Sequence, residues 1–340
     1  MLNRRILIFC AVVLIMLILA SCLNRIEPSR MEFALGTVCS ITLYDKGNAA
    51  IYRDIFSRLR EIESRMSVNL PDTDVARINA AAGTAPVQVH DDVFEVIRKA
   101  LYFAEASGGA FDPTVGPLVS IWGIGTENPR VPSQAEIDAA LSLINWRDVE
   151  LNHEQRSVFL KRSGMALDLG AIAKGYAADE AAAIIKKAGL KQAIIDLGGN
   201  ILTYGKKKDK SPWRVGVQDP LEDRGESLGK ITGSECTVVT SGIYEKFFEA
   251  DGRRYHHIFS PFSGYPADSG LLSVTIIAKN SIDADALSTA VFVLGYEKGR
   301  ALIESLEGTE AVFVFNDKSV RKTKGADFSI TNKNYTLLPD

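Results

Sequence analysis

Asp283-Ala284-Asp285-Ala286-Leu287-Ser288-Thr289, continued by the apolar run Ala290-Val291-Phe292-Val293-Leu294-Gly295, is the stretch on which the reading of this chain turns. At helical pitch Asp285 and Thr289 share one face, with Ser288 beside them. A carboxylate and hydroxyls on an otherwise apolar helix suit a hard cation such as Mg²⁺, which takes a few protein oxygens and completes its shell with phosphate. A capped helical turn with a back-bonded Thr satisfies the same pattern. The rest of the chain decides between the two.

Working outward, residues 271–278 and 311–315 read as strands around two helices, 283–294 and 298–306. Residues 33–44 alternate as a strand. Ile51, Ile55, Leu59, Ile62 and Met66 form a helical stripe over 51–66. Residues 74–79 make a short helical turn. A helix over 91–107 has Asp91 or Asp92 as its cap and stops at Gly108-Gly109. A third, 133–144, has Ser133 as N-cap and Glu136 completing a capping box. Strands are expected at 158–161, 166–169 and 193–197, and an Ala-rich helix over 171–188 is closed by Gly189. Residues 213–218, 229–232, 236–240, 246–249 and 255–260 suggest a β meander, and the last fifteen or so residues are β-like. Clustered hairpin-like strands mixed with helices predict an α+β fold with mixed or antiparallel sheets and packed helices, rather than a doubly wound sheet.

The first 22 residues read as a lipoprotein export signal. Arg4 and Arg5 precede an apolar run from Ile6 to Leu19, and Leu19-Ala20-Ser21-Cys22 matches a lipobox in which Cys22 is lipidated. The run is short for a spanning helix, although an uncleaved anchor is the alternative. Residues 23–30 then form a tether and 31–340 one domain, extracytoplasmic and membrane-anchored, on the periplasmic face. Removing the signal leaves about 318 residues, enough for one large or two small cores, and shifts the formal charge from -3 to -5. Without a basic excess, nucleic acid is not an expected partner. Lys206-Lys207-Lys208 reads as a solvated loop. Spacing leaves open either a Cys39–Cys236 disulfide or two buried thiols.

Four further segments carry chemistry. Gly108-Gly109-Ala110-Phe111-Asp112-Pro113 is a loop whose backbone amides can approach a ligand closely. Asp168-Leu169-Gly170-Ala171-Ile172-Ala173-Lys174-Gly175 runs from strand to helix, with free N–H groups suited to an anion and Lys174 one turn in. It matches neither a P-loop nor a dinucleotide fingerprint. Asp196-Leu197-Gly198-Gly199-Asn200 is a second glycine-bearing strand end. Tyr255-His256-His257-Ile258 places two of the four His on opposite faces of a strand.

Together these segments resemble the ApbE family, the FAD:protein FMN transferases. The resemblance rests on Phe33-Ala34-Leu35-Gly36-Thr37, Glu63-Ser64-Arg65-Met66-Ser67, Gly109 to Leu118, Asp168 to Tyr176, Asp196 to Asn200, Val215 to Pro220, Thr240-Ser241-Gly242, His257-Ile258 and Asp285 to Thr289, in order and over about 33–295. It implies an ApbE-like, T-fold-like architecture. It also implies Mg²⁺-dependent transfer of FMN from FAD to a Thr or Ser hydroxyl of a partner redox protein, with release of AMP. The implied metal ligands are Asp285, Thr289 and the Ala171 carbonyl, with Ser288 beside them. The implied FAD contacts are Leu35, Asn69, Ala110, Phe111, Asp112, Lys174, His257 and Ile258. His257 is the candidate base and Asp168 its competitor. Leu35 stands where the family often has Met, and Asn69 where it often has an aromatic residue, commonly Tyr. The second departure suggests that hydrolysis of FAD to FMN and AMP competes with transfer. An FAD pyrophosphatase and a non-enzymatic FAD-binding lipoprotein are the alternative readings.

Overall fold

The computed structural model describes residues 29–45 and 48–339. The export signal, Cys22 and nearly all of the tether lie outside the described residues. The chain opens with a hairpin, β1 (Arg30–Ala34) and β2 (Thr37–Leu43). The single strand expected over 33–44 is thus broken. Leu35 and Gly36 both take positive φ (55° and 68°), as a two-residue hairpin turn requires. Helix α1 (Ala49–Met66) follows, capped by Asn48, and buries its expected stripe. Next come α2 (Asp74–Ala80), β3 (Val87–Gln88) and α3 (Asp91–Ala106). His90, not Asp91 or Asp92, holds the cap position of α3, and its backbone N–H and ring are bonded to Asp74.

The turn-rich loop after Gly109 runs into a helix the sequence reading missed, α4 (Gly116–Trp122), with Pro117 in its first turn. Helix α5 (Gln134–Leu141) carries the expected Ser133–Glu136 capping box. Strands β4 (Val149–Asn152) and β5 (Ser157–Leu160) pair beside β3. Residues 166–169 form no strand. The Asn79 amide takes both peptide groups of Leu167, at 2.7 and 3.0 Å, while the Asp168 N–H bonds the Pro113 carbonyl. The segment is extended, with its backbone groups satisfied by a side chain and a loop.

Helix α6 (Ala173–Lys187) leads to β6 (Ala193–Leu197) and β7 (Asn200–Tyr204). Then come β8 (Trp213–Gln218), β9 (Ser227–Gly233), β10 (Thr237–Gly242), β11 (Phe247–Ala250), β12 (Arg253–His256) and β13 (Leu271–Ala278). The last elements are α7 (Ser281–Glu304), β14 (Glu310–Phe315), β15 (Ser319–Lys322), β16 (Phe328–Ile330) and β17 (Thr336–Leu337). Gly295, at φ 74° and ψ -177°, breaks α7 where two helices were expected.

The central sheet has the order β1-β2-β6-β7-β10-β13-β14-β15-β17 and is antiparallel except for β15–β17. The main core lies between its inner face and α1, α3, α6 and α7. The expected meander is split three ways. β8 and β9 join β16 in a small sheet, β11–β12 is a separate hairpin, and β10 enters the central sheet. The small sheet covers the far face of β10, β13 and β14 with a second core, which explains why β13 is apolar on both faces. A third cluster, around Trp122, Ile137 and Phe259, fixes the segment after β12. Cys39 and Cys236 are free thiols.

Candidate functional site

Helix α6 starts without a side-chain cap, because Ile172 stands at the cap position. Its unpaired first-turn donor, the Gly175 N–H, bonds Asp285 Oδ2 at 2.8 Å. Helix α7 is treated the same way: Asp179 accepts the N–H groups of Ser281 and Ile282 at 2.8 and 2.9 Å. The two antiparallel helices therefore cap each other. The contact is close. A Cβ at Gly175 would stand 2.3 Å from the Ser281 carbonyl oxygen and 2.7 Å from Asp285 Cβ.

This packing leaves oxygen lone pairs in one place. Asp285 is buried, and among the described residues only its Oδ2 is engaged. The Ala171 carbonyl, at the mouth of α6, accepts no hydrogen bond among the described residues. The hydroxyl of half-buried Thr289, one turn beyond Asp285, likewise has no partner among them. A carboxylate oxygen, a carbonyl and a hydroxyl are the donor set a hard divalent cation takes, so the residues present fit Mg²⁺. Ser288 does not join them. Its hydroxyl donates to the Asp285 carbonyl at 2.8 Å and meets the Ser241 hydroxyl at 2.8 Å, so it braces the helix instead.

Lys174 stands one residue before Gly175, with Nζ 3.2 Å from the Gly170 carbonyl oxygen. Its charge, with that of Lys246, reaches His257, Asp168 and Glu245. His257 is crowded on nearly every side though its edge is open. Burial and then the two lysines push its pKa down to about 3. Its Nδ1 lies 3.2 Å from the Lys246 carbonyl oxygen, and a carbonyl only accepts, so Nδ1 carries the proton. Nε2 therefore presents a free lone pair. His256 points the other way, as the alternation predicts. It is buried, with Nε2 donating to the Ala267 carbonyl and its pKa lowered to about 4 by burial.

Asp168 accepts the Gly170 N–H at 2.7 Å, and burial raises its pKa against the pull of that bond and of the two lysines. The loop from Ala110 to Asp112 contributes less side chain than expected. Ala110 and Phe111 are buried, and both Asp112 oxygens are taken, by Thr114 (2.8 and 2.6 Å) and the Trp146 N–H (3.1 Å). Ile258 likewise sits in the core. These four can meet a ligand through backbone alone. Leu35 lies half-buried in the β1–β2 turn, which Glu63 ties to the last turn of α1 through the Gly36 N–H. Asn69, just beyond α1, is exposed. Cys39, fully buried beneath, has its pKa raised to about 11 by burial and is inert.

Gly175, Asp179, Glu245 and Lys246 are given no role by the sequence alone. Their signal was position: a glycine and a carboxylate one turn apart on α6, and charges just before the β11–β12 hairpin.

A match to known proteins now carries weight. The model of the ApbE family matches residues 35–313, and the chain belongs to that family. It is 42% identical over 316 residues to the FAD:protein FMN transferase of Treponema pallidum (strain Nichols), covering 88% of this chain and 87% of that one. It is 40% identical over 297 residues to one from Klebsiella pneumoniae (strain 342), covering 87% and 92%. These relatives are transferase enzymes. The crystal structure of the ApbE protein of Thermotoga maritima superposes with a TM-score of 0.80 at 35% identity, over 87% of this chain and 96% of that one. The flavin transferase ApbE of Vibrio cholerae gives 0.76 at 26% identity, over 88% and 95%.

Proposed function

We propose that this protein transfers FMN from FAD to a Thr or Ser hydroxyl of a partner redox protein, releasing AMP. Mg²⁺ would be held by Asp285, Thr289 and the Ala171 carbonyl. The acceptor oxygen forms the new bond to the FMN phosphorus, the bridge to AMP breaks, and the hydroxyl proton must go to a base. His257 is the candidate for that proton on geometry: its Nδ1 is committed to the Lys246 carbonyl, which leaves Nε2 to accept, while burial and then Lys174 and Lys246 keep the ring neutral at the cost of basicity. Asp168 is its competitor: burial raises its pKa, and of its two oxygens Oδ1 holds the Gly170 N–H. Lys174 and the first turn of α6 offer positive charge to the pyrophosphate. When bound, the cation would neutralise charge on the phosphate oxygens as the bridge breaks.

The observation that carries the reading is the trio of unpartnered oxygens at Ala171, Asp285 and Thr289 beside Lys174. The experiment is AMP formation from FAD, with and without Mg²⁺, by the native protein and by Asp285→Asn. Mg²⁺-dependent AMP lost in the variant supports an enzyme. FAD binding that is unaffected by the metal and gives no AMP would make the chain a flavin carrier.

Hydrolysis is the second reading, favoured by the exposure of Asn69 where the family often places an aromatic ring. Cys22, at the end of the export signal, would hold the domain to the outer side of a membrane. Among the described residues no helix is long and apolar enough to cross one.

A further inference from the structure

The run Lys206-Lys207-Lys208, unused by the chemistry above, lies at the end of the molecule remote from the site. Helix α6 carries the chain there from Lys174. Its 15 residues span about 22 Å, and it ends in exposed Lys186 and Lys187. Exposed Lys191 follows, and β7 returns to the same place, because Tyr204 pairs with Ala193 and Gly205 packs against the Lys191 carbonyl. Trp213 packs against Tyr44 with the rings tilted (centroids 5.0 Å apart), its Nε1 fixed to the Gly205 carbonyl at 2.7 Å. Lys207 Nζ stands 5.5 Å from the Trp213 ring centre. Tyr44, Gln192, Lys207, Lys208, Asp209 and Trp213 line an open cleft of about 430 Å³.

The carboxylates facing this end are fewer than its lysines. Asp45 accepts the N–H groups of Lys191 and Gln192, Asp209 bonds Ser211, and Glu235 is exposed near Tyr204. The chain enters the fold here too: Ser29 bonds the Thr42 hydroxyl and the Ile41 carbonyl, one and two residues before the end of β2. Six residues lie between Cys22 and Ser29, and the seven steps of about 3.5 Å span at most roughly 25 Å.

We infer that this lysine-and-aromatic end is a docking surface for the headgroups of an anionic phospholipid bilayer. The inference rests on the lipid anchor at Cys22, which would hold this end, and not the site, next to the membrane. Lysines beside an anionic bilayer add attraction of about fivefold each, and aromatic rings with a polar edge suit the headgroup layer. Docked this way, the site faces away from the lipid, open to a partner protein's soluble domain.

The test uses the full-length protein on vesicles of phosphatidylcholine alone or with phosphatidylglycerol, with lysine acetylation read by mass spectrometry. The protein should float with both. On the anionic vesicles labelling of Lys206, Lys207, Lys208 and Lys191 should fall at least about threefold, while Lys318 at the opposite end is unchanged. About 0.5 M salt should abolish the protection. The triple variant Lys206→Glu, Lys207→Glu, Lys208→Glu should still float but lose protection at Lys191. Flotation with equal labelling on both vesicles overturns the surface while leaving the anchor standing. No flotation on phosphatidylcholine overturns the anchor and the inference with it. Protection that requires an added acidic protein domain assigns the surface to that partner and overturns the lipid.

Discussion

Asp179 and Asp285 cap one another's helices. Asp179 on α6 holds the first N–H groups of α7, and Asp285 on α7 holds the Gly175 N–H of α6. A proposed metal ligand is thereby fixed by the same contact that starts the helix beneath it, and the Ala171 carbonyl accepts no hydrogen bond among the described residues. Stability and chemistry are coupled at this crossing.

Gly175→Ala should therefore injure both. The added methyl meets backbone at 2.3 Å, which cannot swing aside. The helices must separate, at a cost of about 1–3 kcal/mol in unfolding free energy. The apparent Mg²⁺ requirement for AMP formation should rise at least about tenfold, since roughly 1.4 kcal/mol corresponds to that factor. Denaturant unfolding and a Mg²⁺ titration read the two effects separately. A variant of native stability and native Mg²⁺ dependence would show that the crossing does not set the site.

Asp179→Asn should change the pH dependence of stability. Burial raises the Asp179 pKa to about 6 from an ordinary 3.8. Between those values the native state binds more protons than the unfolded chain. The contribution of Asp179 is fully present below pH 3.8 and is lost as pH rises through about 6. The Asn variant lacks this titration. The stability of native protein relative to the variant should thus fall by a few kcal/mol from pH 4 to pH 7. A constant difference across that range contradicts the burial argument.

His257 should leave no break in the rate near its ordinary pKa of 6.5. With its pKa pushed down to about 3 by burial and then the two lysines, it is neutral over the working range and available to accept a proton well into acid, though as a weaker base than a free imidazole. Its stability contribution has the opposite sign to that of Asp179: fully present above 6.5 and lost as pH falls towards 3. His257→Gln should lower the transfer rate roughly 100-fold or more with little change in FAD affinity. A variant that transfers at the native rate would hand the role of base to Asp168.

Asn69→Tyr tests the balance of the two reactions. An aromatic ring at this exposed position should stack on bound flavin and exclude water. Acceptor-free release of FMN and AMP should drop severalfold while transfer is kept. An unchanged hydrolysis rate would sink the idea.

Much of the architecture was legible because local signals agreed with tertiary packing. The stripe of α1, the capping box of α5 and the apolar run of β13 each specify one element. What failed was decided by partners remote in sequence. Residues 166–169 look like a strand, but Asn79 takes the bonds a neighbouring strand would have made. The apparent meander is divided because β10 pairs with β7 and β13. In the site, Asp285 and Thr289 stood out as oxygens on an apolar helix. Ser288 carries the same chemistry, but its hydroxyl is spent on the Asp285 carbonyl and Ser241, a fact that spacing does not encode. The Asp112 carboxylate likewise braces its loop through Thr114 and the Trp146 N–H, which spacing does not encode.

The most direct test of the account is the ratio of AMP to covalently bound FMN when the protein, FAD and Mg²⁺ are incubated with a Thr-bearing domain of a membrane redox subunit. Flavin transfer predicts one AMP for each FMN fixed on the acceptor, both abolished by chelating the metal. FAD held tightly with neither product formed, with or without metal, would contradict it.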